Sequence, residues 1–337
     1  MEVTGQDFTE VYGKLSNALI NYRYLPSPRG KESRELLGVN FEIENPRDRL
    51  PHIRSRKFSI SYCIAEIIWY LSGSNDVKWI ARYSPFWLGV SDDGETANSA
   101  YGSRLFRPNP ALGFDIVQWE TVKQHLIDDP FTRRAVLHIK TPADNDPKSK
   151  DIPCTLDLQF ILRESKLHMF VNMRSSDCIF GIGNDVPAFT FFQEMMANEL
   201  GVDVGIYSHK SNSLHVYPNH YDMISQIVSE SDLGEGNCLT MPPLPKCDIP
   251  IVDLVKAADA LERAHITPDQ IKAIVDYFSF EKYYRDWASI LALRTIKRRL
   301  DRLSVVLGAD ELREDLKSLS SDLILQLHPC YRWYYEP

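Results

Sequence analysis

The chain is 337 residues long, 44% hydrophobic and 25% charged, enough for one large domain or two around a substantial core. A net charge of -8 excludes a general attraction to nucleic acid polymers, so any anion site must be local. Six cysteines follow neither metal-ligand spacing nor a disulfide framework. With no signal peptide and no apolar run able to span a bilayer, the expected setting is reducing and cytoplasmic, away from any membrane.

Residues 6–24 carry a helical apolar period that stops ahead of Pro26 and Pro28, and Ser27-Pro28-Arg29-Gly30 reads as a basic loop. Residues 60–71 are expected to form a helix with Ile60, Ile64, Ile67, Ile68 and Leu71 on one face and Tyr62, Trp69 and Tyr70 near Glu66. A helix apolar or aromatic on nearly all sides is buried. Glu66 is then either half of a structural ion pair or a carboxylate whose pKa is raised toward neutrality, which suits proton transfer. Phe86-Trp87 opens a loop that runs to Tyr101-Gly102. Asp129-Pro130 closes a helix, and Arg133-Arg134 leads into a strand over 135–140, where a basic pair is ordinarily a solvated edge.

Residues 155–162 alternate, with Leu156, Leu158, Phe160 and Leu162 on one side and Thr155, Asp157 and Gln159 on the other, the period of a half-buried strand. A second run, 167–174, follows Arg163-Glu164-Ser165-Lys166, so the two read as a hairpin. Cys154 then stands at the mouth of the first strand and Arg174-Ser175-Ser176-Asp177 at the end of the second. A nucleophile is thereby set beside an anion site at one sheet edge. Singly, each residue has a plainer reading. Cys154 would be a small buried hydrophobe, Arg174 and Asp177 a surface ion pair, and Asp185, two residues before Pro187, the N-cap of a helix closed by Gly201. His215, Tyr217 and Asn219 have no cysteine or carboxylate at zinc-like spacing, so no metal is expected. Segments 250–263, 268–279, 281–306 and 309–327 read as helices, the second opening on a Thr267-Pro268-Asp269-Gln270 capping box.

Taken jointly, these segments resemble the thymidylate synthase family, including its pyrimidine hydroxymethylase branch. Pro153-Cys154 before Gln159-Phe160 is similar to the family's nucleophile segment, and Arg174-Ser175-Ser176-Asp177 with Phe180-Gly181 to its phosphate- and base-reading segment. His215-Val216-Tyr217-Pro218-Asn219-His220 resembles its sugar-binding motif. Glu66, Tyr101-Gly102 and Arg133-Arg134 fall on three further segments, all in family order. The resemblance implies an α+β fold, a large mixed sheet flanked by helices over residues 1–246, with residues 247–337 as a helical extension packed on it.

It also implies roles. Cys154, Glu66 and Tyr101 would be catalytic; Arg29, Arg174 and Ser175, joined by Arg133 and Arg134 from the partner of a homodimer, would hold the phosphate, with Arg23 the substitute for Arg29. His215 and Tyr217 would bind the sugar, Asn219 would help orient the base, and Trp87 and Asp177 would meet the folate. Asp185 stands where thymidylate synthases carry an asparagine that pairs with uracil. A carboxylate instead accepts from the cytosine amino group and, when protonated, donates to N3. The substrate expected is therefore a cytidine monophosphate, CMP or dCMP, with a lean to CMP in nucleoside-antibiotic biosynthesis.

The co-substrate implied is 5,10-methylenetetrahydrofolate, and the product a 5-hydroxymethyl nucleotide. Val90, where the family's second loop tryptophan falls, and an unfamiliar tail, Arg332-Trp333-Tyr334-Tyr335-Glu336-Pro337, favour water over hydride at the last step. Guanidinium charge beside Cys154 is expected to lower its pKa. Met173 and Thr155 depart from the glutamine and histidine usual in synthases. Two alternatives stand beside this reading: a thymidylate synthase or dUMP hydroxymethylase, and a non-catalytic nucleotide-binding protein.

Overall fold

The computed structural model describes residues 1–22, 25–145, 148–232, 239–304 and 308–336. The chain divides into two compact units, Met1–Phe58 with Gly73–Met241, and Ser59–Ser72 with Pro242–Pro337.

The first unit is built on a mixed sheet. Among the described residues its strands are β1 (Glu2–Gly5), β2 (Arg34–Ile43), β3 (Val136–His138), β4 (Thr155–Arg163), β5 (Lys166–Met173), β6 (Ser176–Asp177) and β7 (Asp203–Val216), ordered β1-β2-β7-β5-β4-β3 with β6 pairing on β7. β4 and β5 form the expected hairpin, turned by Glu164 and Ser165, both in the left-handed region at φ 50° and 58°. Positive φ at both central residues is what a two-residue hairpin needs to match the strand twist. β5 alternates strictly, burying Leu167, Met169, Val171 and Met173. β4 does so only at Leu158 and Phe160, and Leu156 and Leu162, expected on the same face, are half-buried. A bulge between Thr155 and Asp157 turns Thr155, expected on the polar side, onto the buried face, where its hydroxyl meets the Met173 sulfur at 3.0 Å.

β5 and β7 are parallel, so the chain between them must cross over, and the helix Ile182–Leu200 makes that crossing. It buries most of its length, including Phe189, Phe191, Phe192 and Met196, and Gly201 ends it at φ 69° as expected. Its start differs from the sequence reading. The helix begins at Ile182 after Gly181, Pro187 lies within it, and Asp185 is a first-turn residue and not the N-cap. Backbone bonds from Asn184 and Asp185 to the Gly181 carbonyl nucleate the turn upstream, so Pro187 falls past the first turn and leaves out one i→i−4 bond, that to the Gly183 carbonyl. The helix Phe8–Asn21, capped by Asp7, buries Phe8, Val11, Tyr12, Leu15 and Leu19 in the same unit.

The second unit is helical: Ile60–Leu71, Ile251–Leu261, Pro268–Tyr277, Lys282–Leu303, Asp310–Gln326 and Pro329–Arg332. The Thr267–Gln270 capping box is present. Helix Ile60–Leu71 packs on Ile251–Leu261 and on Lys282–Leu303, which buries Tyr283, Tyr284, Trp287, Ile290 and Leu291. No described helix is long and apolar enough to cross a membrane.

Candidate active site

The ends of β4, β5 and β7 and the start of the helix Ile182–Leu200 bring the predicted chemistry to one place in the first unit. Arg174 ties the Cys154 segment down. Its Nε donates to the Pro153 carbonyl at 2.9 Å, Nη2 to that of Ile152 at 2.8 Å, and its backbone N–H to that of Cys154 at 2.9 Å. On the upstream side the Asp151 carboxylate accepts from the Ser99 N–H at 2.9 Å, two residues before Tyr101. Buried Arg104 in turn grips Asp144 at 2.7 Å and the Asn98 carbonyl. Tyr101 is buried with its ring 5.7 Å from that of Phe189.

Cys154 is half-buried, and the Ser175 hydroxyl donates to its sulfur at 3.8 Å. Burial pushes the Cys154 thiol above its ordinary value; Arg174 and Ser175 pull it down, while the Asp185 and Asp151 carboxylates push it up. The expected net lowering by guanidinium charge is therefore corrected: desolvation, with two carboxylates adding to it, outweighs one exposed arginine and a hydroxyl. The same balance places the Asp185 carboxylate within electrostatic reach of the sulfur. Asp185 also raises the buried Tyr207 phenol, secondarily to burial.

β6 continues the line of β5 along β7, so that Asp177 pairs with His215 and the Cys178 N–H donates to the His215 carbonyl at 2.8 Å. His215 meets the Tyr217 ring edge-on at 5.2 Å. Asp177 Oδ1 accepts from the Ile179 and Phe180 N–H groups, both at 2.7 Å, which fixes its carboxylate. Trp87 is buried in the short helix Phe86–Val90. Its neighbour Phe86 stacks on Phe180 at 6.1 Å, and Phe180 meets His220 edge-on at 5.1 Å. Phe86 and Phe180 are exposed, so this aromatic run beside Asp177 is open to a flat ring. The sequence reading quoted both phenylalanines in its motifs but gave them no role, because their pairing joins segments far apart in the chain.

Other predicted residues are not drawn together by described contacts. Arg133 and Arg134 are exposed at the entry to β3, Arg29 belongs to the turn Pro28–Gly30, and Arg23 lies outside the described residues. Glu66 belongs to the second unit. It is buried there, its Oε1 accepting from Tyr62 at 2.6 Å and Tyr70 at 3.2 Å, and burial lifts its pKa to about 7 against the two phenols. Among the described residues no group of His, Cys, Asp or Glu could hold a metal.

A mixed sheet whose strand ends gather a thiol, a guanidinium and carboxylates, crossed by one long buried helix, defines an α+β fold. The chain belongs to the thymidylate synthase family, whose model matches residues 14–243. It is 35% identical over 226 residues to a protein of Bacillus phage SP01 named deoxyuridylate hydroxymethyltransferase, covering 65% of this chain and 59% of that protein. A protein of the same name from Delftia phage PhiW-14 is 32% identical over 231 residues, covering 65% of this chain and 62% of that protein. The chain thus spans about three fifths of the curated relatives it matches.

Proposed function

We propose that this chain transfers a one-carbon unit from 5,10-methylenetetrahydrofolate to C5 of a pyrimidine nucleoside monophosphate and completes the reaction with water, giving a 5-hydroxymethyl nucleotide. The observation that carries the reading is the Cys154 sulfur 3.8 Å from the Ser175 hydroxyl on a segment that the Arg174 guanidinium ties down, with the Asp185 charge acting on the thiol. The hydroxymethyltransferase names of the phage relatives support the choice of water over hydride.

In this reading Cys154 adds to C6 and makes C5 a nucleophile. The folate supplies a carbon at the level of formaldehyde; the exposed Phe86–Phe180 run, with Trp87 and Asp177, fits its flat rings. C5 bonds to that carbon and loses its proton, and the carbon–nitrogen bond to tetrahydrofolate breaks to leave a methylene on the base. Water adds to that methylene, and the sulfur then leaves C6 to restore the ring double bond. Glu66, near neutrality, is suited to hold or yield the protons at each step. Tyr101 stands with the catalytic set. Arg174 and Ser175, with Arg29, bind the phosphate, and exposed Arg133 and Arg134 serve the neighbouring site of a homodimer. His215 and Tyr217 take the sugar.

For the base, Asp185 favours cytosine, as CMP or dCMP. Uracil would leave two acceptors facing each other at O4, a mismatch costing roughly 1–3 kcal/mol. A second reading, dUMP as substrate, is favoured by the names of the phage relatives. Release of tritium from C5-labelled CMP, dCMP and dUMP, dependent on methylenetetrahydrofolate, separates the readings, and the product mass distinguishes hydroxymethyl from methyl. Cys154→Ser is expected to abolish release while nucleotide still binds. Release that persists in that variant removes the nucleophile assignment, and no release from any nucleotide leaves a binding protein.

A further inference from the structure

Arg56 is 7% exposed, and among the described residues it makes no ion pair. Its Nη2 donates to the Ile179 carbonyl at 2.6 Å, and its Nε is buried without a hydrogen-bond partner. The guanidinium lies against Gly183, where a Cβ would stand 2.7 Å from Nη2. Its charge also acts on the buried Tyr12 phenol, which donates to the Cys178 carbonyl at 2.9 Å. The backbone ahead of Arg56 is itself pinned. The Glu230 carboxylate accepts from the Arg54 N–H at 2.6 Å, the Ser55 N–H at 2.9 Å and the Ser55 hydroxyl at 2.7 Å.

The turn held in this way runs from Asp177 to Asp185. Asp177 caps it from within, and the Gly181 carbonyl accepts the Asp185 N–H at 2.9 Å, only two residues beyond Ile179. A buried cation without a carboxylate partner is costly to keep, and a carbonyl, the Tyr12 hydroxyl and the Phe58 ring at 5.7 Å, all neutral, offset only part of that cost. Its retention calls for a role that a neutral side chain would not fill.

We propose that Arg56 is a positioning residue for base recognition: by holding the Ile179 carbonyl and occupying the space beside Gly183, it fixes the helical first turn that carries Asp185. The proposal rests on the reading that Asp185 meets the base. It adds that the discrimination depends on a side chain that touches no substrate.

The test uses the full chain and three variants. Arg56→Met removes the donor at similar bulk, Arg56→Lys keeps the charge without the planar fork, and Gly183→Ala leaves Arg56 in place but drives a methyl into its guanidinium. Hydrogen exchange of the amides of residues 179–185, read by mass spectrometry, reports on the turn without needing activity. Arg56→Met and Gly183→Ala are expected to speed exchange there by about tenfold, with Arg56→Lys between them and wild type. The ratio of dissociation constants for CMP and UMP, by calorimetry, is expected to fall toward unity in the same order. Leu323→Ala, a core truncation in the second unit, lowers Tm and leaves that ratio alone. Unchanged exchange at 179–185 overturns the positioning role, and faster exchange with an unchanged ratio overturns its link to the base. A wild-type chain that binds CMP and UMP alike sinks the Asp185 reading itself, while the exchange result still decides the role of Arg56 in the turn. Should Arg56→Met fail to fold, Gly183→Ala carries the comparison.

Discussion

Burial and the Arg174 charge pull on the Cys154 thiol in opposite directions, and burial, the larger of the two, prevails with smaller help from Asp185 and Asp151. The sequence could place Arg174 and Cys154 at one edge, since both flank a legible hairpin. It could not weigh the acids, because Asp185 reaches that edge only through the crossing helix. If Asp185 reads the amino edge of cytosine, then Asp185→Asn exchanges acceptor for donor at one atom. The uracil-to-cytosine preference is expected to rise about 10- to 100-fold, measured as kcat/KM for dUMP against dCMP. An unaltered preference would count against the assignment. His209 gives a residue-scale test of stability. It is fully buried, stacked on Phe41 and bonded to the Tyr207 hydroxyl at 2.8 Å, and burial depresses its pKa to about 3. The unfolded chain takes up that proton near pH 6.5, so the contribution is whole above 6.5 and is lost as pH falls toward 3. Urea unfolding of wild type against His209→Gln is expected to show their difference shrinking by about 1.4 kcal/mol per pH unit in that window. A difference independent of pH would show that His209 is protonated in the fold.

Elements were legible where their period is local and misjudged where a distant partner sets it. The helix 60–71, the β4–β5 hairpin and the Thr267 capping box stand where the pattern put them. Pro187 misled, because proline is read as a helix opener, whereas here the turn at Gly181 nucleates the helix upstream and the proline falls inside it. The β4 bulge is invisible in the alternation of its own strand, since its cause is the register against Met173. The hairpin turn offers an element-scale prediction. Ser165 sits at φ 58°, where a side chain costs roughly 1–2 kcal/mol that glycine avoids at some loss of chain entropy. Ser165→Gly is expected to stabilise the first unit by about 0.5–1 kcal/mol, read from the midpoint of denaturant unfolding at unchanged slope. A destabilised variant would mean that the turn is not of the hairpin type described.

At the scale of the whole molecule, the sequence reading separated a catalytic stretch of 1–246 from a helical extension, whereas the helix Ile60–Leu71 clusters with the C-terminal helices. That it is buried all round was plain from its composition. Which residues bury it was not, because Ile251–Leu261 and Lys282–Leu303 come much later in the chain. The consequence can be estimated. Ile60, Ile64, Ile67 and Ile68 are each at most 5% exposed, and at roughly 1.5–3 kcal/mol per buried side chain their burial contributes about 6–12 kcal/mol before the entropy of ordering them is counted. Glu66 stands among them, and its Tyr62 and Tyr70 bonds hold only while the helix is kept dry. A chain ending at residue 246 is therefore expected to collect in the insoluble fraction, or to bind a hydrophobic dye and melt without a cooperative transition. Supplying residues 242–337 as a separate chain during expression is expected to restore solubility. A truncated chain that stays monodisperse and unfolds in one sharp step would mean that the early helix finds its cover within the first 246 residues.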